Sequence, residues 1–194
     1  KTMAQAMEEA GDKTRATLEW IQKLAILSPF DRDGVTQAYK TALTYGYTSD
    51  EAKRLTQNLI DFAAATGASS AMLDQIAYPL GQIRTGSKLY TQDLRQLMNA
   101  GVPVTEILAE MGYTLADVGT TAVSSADFLE RFNKLVERDF GGAAKAQAGT
   151  FAGLVASLED LKDVGLRNLF TPMFKEIQPE LSKLVDTLQL PGVA

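Results

Sequence analysis

Apolar residues recur at spacings of three and four along nearly the whole chain, and no stretch of strict alternation reaches the length of a strand. A sequence with that single period has only helical stripes to bury, and it buries them against one another. The expected fold is therefore all-α: a multi-helix bundle of short helices, followed by one or two longer helices that carry an apolar seam. Glycine and proline set the punctuation. Asp12 is a candidate N-cap for a first helix with Leu18, Ile21, Leu24 and Ala25 on one face, and Pro29 stops it at Ser28. The next helix buries Val35, Ala38, Tyr39, Ala42 and Leu43 and ends at Gly46. Thr48 to Glu51 reads as a capping box opening a helix with Ala52, Leu55, Leu59 and Ala63 inward, closed by Gly67. Ser69 or Ser70 begins another, with Leu73, Ile76, Ala77, Leu80 and Ile83; Pro79 predicts a kink or an early break in it.

The middle of the chain is choppier. Thr91 is expected to cap a short helix holding Leu94, Leu97 and Met98 up to Gly101. Pro103 begins another through Ile107, Leu108 and Met111, ending at Gly112, and Thr114 to Asp117 suits one further turn. Between Val118 and Val123 a short strand or extended loop competes with helix. Ser125 then caps a stronger helix with Phe128, Leu129, Phe132, Leu135, Val136 and Phe140, in which Glu130 and Lys134 form an i,i+4 pair on the wet side. Gly141-Gly142 breaks it. From Ala143 to Gly153, seven of eleven residues are Ala or Gly, a change of texture. Phe151, Leu154, Val155, Leu158 and Leu161 then form a broad apolar stripe. Phe174, Ile177, Leu181, Leu184 and Leu188 follow heptad spacing, interrupted by Pro179. The expected division is a compact bundle over 1–142 and longer helices over 143–194 that lead into an extended or coiled-coil region. A chain that opens on Lys1 is expected to be a piece of a longer one.

Composition narrows the chemistry. There is no Cys and no His, which removes thiolate nucleophiles, Cys/His zinc sites, disulfides and the commonest general base. The net charge is −5, with Lys and Arg spread singly, so no electrostatic footprint for DNA or RNA is visible. Fully apolar runs such as Leu24–Leu27 are four residues long, whereas a membrane helix needs about 20. No catalytic residue, metal site or cofactor site is expected.

Individual candidates reduce to packing. Glu106 and Glu110 stand one turn apart, but a carboxylate metal centre of the bundle type would want His partners, so a solvated helix face is expected. Asp31 and Asp33 beside Gly34 lack the further acidic ligands of a calcium loop and suit the start of a helix. Phe140 to Lys145 fails as a phosphate loop, because Lys145 is followed by Ala146 and a helix precedes it. As an elbow, Gly141 and Gly142 permit backbone angles that other residues resist. Gly149 and Gly153 form a small-residue motif that lets a helix of the same chain or of a neighbouring copy lie close. The rings of Trp20, Tyr39, Tyr45, Tyr47, Tyr78, Tyr90 and Tyr113 are scattered, and most are expected in the core with their polar tips wet.

The run Phe140-Gly141-Gly142-Ala143-Ala144-Lys145-Ala146-Gln147-Ala148-Gly149-Thr150-Phe151-Ala152-Gly153-Leu154, leading into Leu158-Glu159-Asp160, resembles the signature of phage tail tape measure proteins. Leu24 to Phe30 resembles that family's segment ending in Ser-Pro-Phe. Ala42 to Gly46 with Ser49 to Ala52, Gln82 to Arg84 with Gly86, Lys88 and Leu89, Asp93 to Leu97, and the Gly101-Val102-Pro103 turn resemble further segments, in family order. The likeness covers about Leu24 to Asp163, roughly three-quarters of the chain. Two departures are Ala148, where a Ser often follows the Gln, and the long stretch between Gly112 and Phe140. The resemblance implies a structural virion component inside the phage tail, made in the host cytoplasm, that acts in tail assembly and sets tail length. It implies tail tube and tail tip proteins, tail-assembly chaperones and copies of itself as partners. The competing reading is a helical scaffold or adaptor unrelated to phage. A ruler must be long: 194 residues of continuous helix span roughly 290 Å. A compact domain of this size has a radius of gyration of only roughly 16 Å.

Overall fold

The computed structural model describes residues 3–150, with side-chain surroundings from residue 11 onward. Among them are eight helices and no strand: α1 (Met3–Ile26), α2 (Arg32–Thr44), α3 (Ser49–Thr66), α4 (Ser70–Thr85), α5 (Thr91–Asn99), α6 (Val104–Glu110), α7 (Ser125–Asp139) and α8 (Ala143–Ala148). The all-α expectation holds. The described residues lie in one compact unit. The stripe from Phe151 to Leu161, Gly153 and the seam from Phe174 to Leu188 lie outside the described residues.

The starts and stops follow local chemistry. Thr48 accepts from the Glu51 amide and Glu51 accepts in return from the Thr48 amide, so the capping box is formed. Asp31 caps α2 by accepting from the Gly34 amide at 2.7 Å, which is the role expected for that acidic pair. Gly46, Gly67, Gly101 and Gly112 follow α2, α3, α5 and α6, as read from the sequence.

The packing centres on α3. Its second half is buried on nearly every side, from Leu59 through Ala64, because α2, α4, α7 and α8 all lie against it. Phe62, Phe128 and Phe132 are the largest fully buried side chains of the core. The most extensive helix pair is α2 with α4. Small residues allow their approach. Gly34 sits against Ser70 where both helices begin, and near their ends Gly81 leaves no room for a Cβ beneath the Tyr45 ring. The Thr41 hydroxyl donates to Asp74 at 2.7 Å between them.

Several expectations are corrected. Asp12 does not cap α1, which starts at Met3 and runs through it; a good cap residue shows where a helix can begin, not that it must. Leu18, Leu43 and Met98, read as buried, are 54%, 40% and 39% exposed. Of the kink or early break expected at Pro79, the early break does not occur: α4 runs through it. The proline removes one hydrogen bond at a cost of about 3 kcal/mol, but α4 buries Leu73, Ile76, Leu80 and Ile83, each worth about 1.5–3 kcal/mol. Thr91 makes no cap; its hydroxyl donates to the Val118 carbonyl and ties α5 to the loop before α7. Ser124, not Ser125, caps α7, and the Ser125 hydroxyl donates to the Gly86 carbonyl. The segment Val118–Val123 is a turning loop rather than a strand or an extended one: the Asp117 carbonyl accepts from the Thr120 and Thr121 amides, Val123 accepts from the Leu89 amide, and Lys88 bridges to Ser124.

Candidate functional site

The glycine pair singled out in the sequence is a sharp turn between α7 and α8. Gly142 has φ +82°, a left-handed conformation that costs a residue with a Cβ roughly 1–2 kcal/mol. A Cβ on Gly141 would sit 2.5 Å from the Glu137 carbonyl oxygen, so backbone would have to move. Together they let α8 turn back and lie along α3. Gly142 has no side chain with which to cap α8. The cap comes from across the bundle: Ala144 donates its amide to Asp61 Oδ1 at 3.0 Å. Asp61 is only 5% exposed, and its other oxygen accepts from Gln57 at 3.1 Å. A buried carboxylate at a helix N-terminus satisfies an orphan amide and meets the favourable end of the dipole. Beside it, Phe140 meets Phe62 edge to face, with ring centroids 5.3 Å apart.

Asp61 is the last member of a polar seam. Arg54, Asn58 and Asp61 stand four and three apart, so they share one face of α3. That face meets Glu130, Asn133 and Glu137, which share a face of α7. Arg54 donates to Glu137 at 2.6 Å and to Glu130 at 3.0 Å. Asn58 donates to Asn133 at 2.7 Å and to Glu137 at 3.4 Å. Glu137 is shared, bound by both Arg54 and Asn58. The Arg54 guanidinium holds the Glu130 and Glu137 carboxyls below their ordinary value, and the two carboxylates raise Arg54 in return. These ion pairs are 40–47% exposed, so solvent screening leaves each worth about 1 kcal/mol or less. Asn58 and Asp61 are buried and weigh more, because an unpaired buried polar group costs about 1–3 kcal/mol.

The expected Glu130–Lys134 pair forms at 3.6 Å, yet the shorter partner of Glu130 is Arg54. Glu106 and Glu110 are likewise more than a solvated face: Arg138 of α7 reaches them at 3.3 and 2.9 Å. No group of three or more potential His, Cys, Asp or Glu metal ligands converges among the described residues. Gly149 ends α8 in right-handed helical geometry, exposed, where a Cβ would meet the Ala146 carbonyl oxygen at 3.4 Å. Sequence reasoning missed Asp61, Asn58 and Arg54. Their signal was the four-and-three spacing of polar residues on α3 beside a second polar stripe on α7.

The site is thus a latch made of packing and hydrogen bonds, with no nucleophile held against a base. No described helix is long and apolar enough to cross a membrane. A family model described as tape measure protein matches residues 1–169. The chain is also 28% identical over 185 residues to the Mu-like prophage FluMu protein gp42 of Haemophilus influenzae. That similarity covers 92% of this chain and 29% of the relative, so the chain spans under a third of the relative's length. No solved structure matches. A match over residues 1–169, most of the chain, carries the assignment: the chain belongs to the tape measure protein family, a structural family of phage tails.

Proposed function

We propose that this part of the protein is a folded head within a tape measure chain, which acts in tail assembly and in setting tail length through helix packing. The observation that carries the reading is the return of α8 onto α3, fastened by Asp61 to the Ala144 amide. A segment that served as ruler along its whole length would have no use for such a fold-back. As continuous helix, residues 21–150 would span roughly 200 Å, whereas folded they form a body on the order of 40 Å across. The length-setting part of the chain then lies in sequence after the latch, where the heptad spacing from Phe174 to Leu188 leads towards an extended or coiled-coil region. Its partners are tail tube and tail tip proteins, tail-assembly chaperones during assembly in the host cytoplasm, and other copies of the chain inside the tail.

The test is tail length in a phage whose tape measure gene carries residues 21–150 twice in tandem, with tails measured by electron microscopy. The tail is expected to lengthen by on the order of 40 Å or less. An increase near 200 Å, the continuous-helix value, overturns the reading.

A further inference from the structure

Away from the latch, a groove of about 390 Å³ opens between α1 and α2. Leu18 and Ile21 of α1 and Tyr39 and Leu43 of α2 give it an apolar floor. Leu18 and Leu43 stand 54% and 40% exposed there. The Tyr39 hydroxyl is bonded to Ser49 at 3.0 Å, which fixes that ring in the wall. On each helix the floor residues are spaced three or four apart, so the surface presents the ridges into which a third helix packs.

The rim supplies the second half of the argument. Both charged residues lining the groove are lysines, Lys13 and Lys40, in a chain whose net charge is −5. No ion pair engages either among the described residues. Two lysines over an apolar floor complement carboxylates flanking an apolar stripe. They also disfavour a second copy of the same face, because a two-fold contact would bring lysines against lysines.

We propose that the groove docks an amphipathic helix of a partner protein, with leucine-like side chains on one face and carboxylates along its edges. The inference does not rest on the latch and survives its failure. The groove length, from Lys13 to Ile21, is about 12 Å, so it seats about two turns of the incoming helix. The floor supplies affinity, and the lysines supply orientation and rate of encounter.

The probe is a fluorescein-labelled 18-residue synthetic helix with leucines on one face and glutamates elsewhere, titrated with the full 194-residue chain and followed by anisotropy. A matched peptide with lysines replacing the glutamates is the comparison. Saturable binding of the acidic peptide, and little of the basic one, is expected. Leu18→Asp with Leu43→Asp should weaken binding at least tenfold, on the order of one leucine's transfer energy. Lys13→Glu with Lys40→Glu should weaken the acidic peptide and strengthen the basic one. Both leucines are exposed, so the variants should keep the parent's circular dichroism and melting temperature; Tyr90→Asp, exposed elsewhere, should bind as the parent does. The proposal is overturned by absence of saturable binding, by equal binding of both peptides, or by unchanged binding in the folded variants. It is also overturned if sedimentation shows a peptide-free dimer that Leu18→Asp dissociates, since the occupant is then a second copy.

Discussion

Removing the Asp61 carboxylate strands two donors at once, the Ala144 amide and the Gln57 side-chain amide. Hydrogen bonds to a charged group are worth about 1.5–3 kcal/mol, and a lost helix cap about 1 kcal/mol. Asp61→Ala is therefore expected to lower unfolding free energy by about 2–3 kcal/mol, measured by urea denaturation. Amide exchange should accelerate first over residues 143–148. Asp61→Asn keeps an acceptor oxygen and should lose less than half as much. Gly142→Ala attacks the same latch from the other side, through its φ of +82°, and should raise exchange over the same residues. Why Asp61 escaped the sequence is physical. Arg54, Asn58 and Asp61 look like the wet side of an amphipathic helix, and periodicity separates polar from apolar without saying what covers the polar stripe. Only the three-dimensional return of α7 and α8 buries it. Gly141 and Gly142 were legible because a glycine pair inside a strongly helical pattern has few other uses.

Between elements, the closeness of α2 and α4 depends on what is missing from Gly81. A Cβ there would overlap the Tyr45 ring, which also stands edge to face with Tyr78 at 5.8 Å. Gly81→Ala should destabilise by about 1–3 kcal/mol through overpacking. In a double-mutant cycle with Tyr45→Ala, much of that penalty should vanish, giving a coupling of about 0.5–3 kcal/mol. Additive losses in thermal or urea melts would show that the two residues do not press on each other. The helices themselves were largely readable, because caps such as Thr48 and stops such as Gly67 are local chemistry. Their burial was less so. Leu18, on the groove side of α1, carries the same letter and spacing as a core leucine; nothing local tells it that no described helix lies over it. At Pro79 the early break is absent for the opposite reason, since a local rule was overruled by the four large side chains that α4 buries around it.

Across the whole molecule, titration should report on the carboxylates. Glu51, Glu130 and Glu137 are held below the ordinary value of 4.5, Glu51 chiefly by its bond from the Thr48 amide, the other two chiefly by Arg54. A carboxylate lowered on folding stabilises fully above its unfolded value, and the gain is lost as pH falls through the lowered folded one. Urea midpoints should thus drop as pH falls from about 4.5, and Asp31, held below 3.8, should add to the loss further down. Asp93, raised by burial, works in the opposite sense. With no His in the chain, the midpoint should be nearly flat between about pH 5.5 and 8; a step there would contradict this assignment. The direction in which α8 lies has a mechanical consequence. Its N-terminal end is the one pinned at Asp61, so tension applied to the chain after Thr150 loads the opposite end first. The helix then peels turn by turn, and the buried carboxylate is the last contact to yield. A chain pulled from that side would release this short reserve first, before load reaches the contacts of α7 with α3.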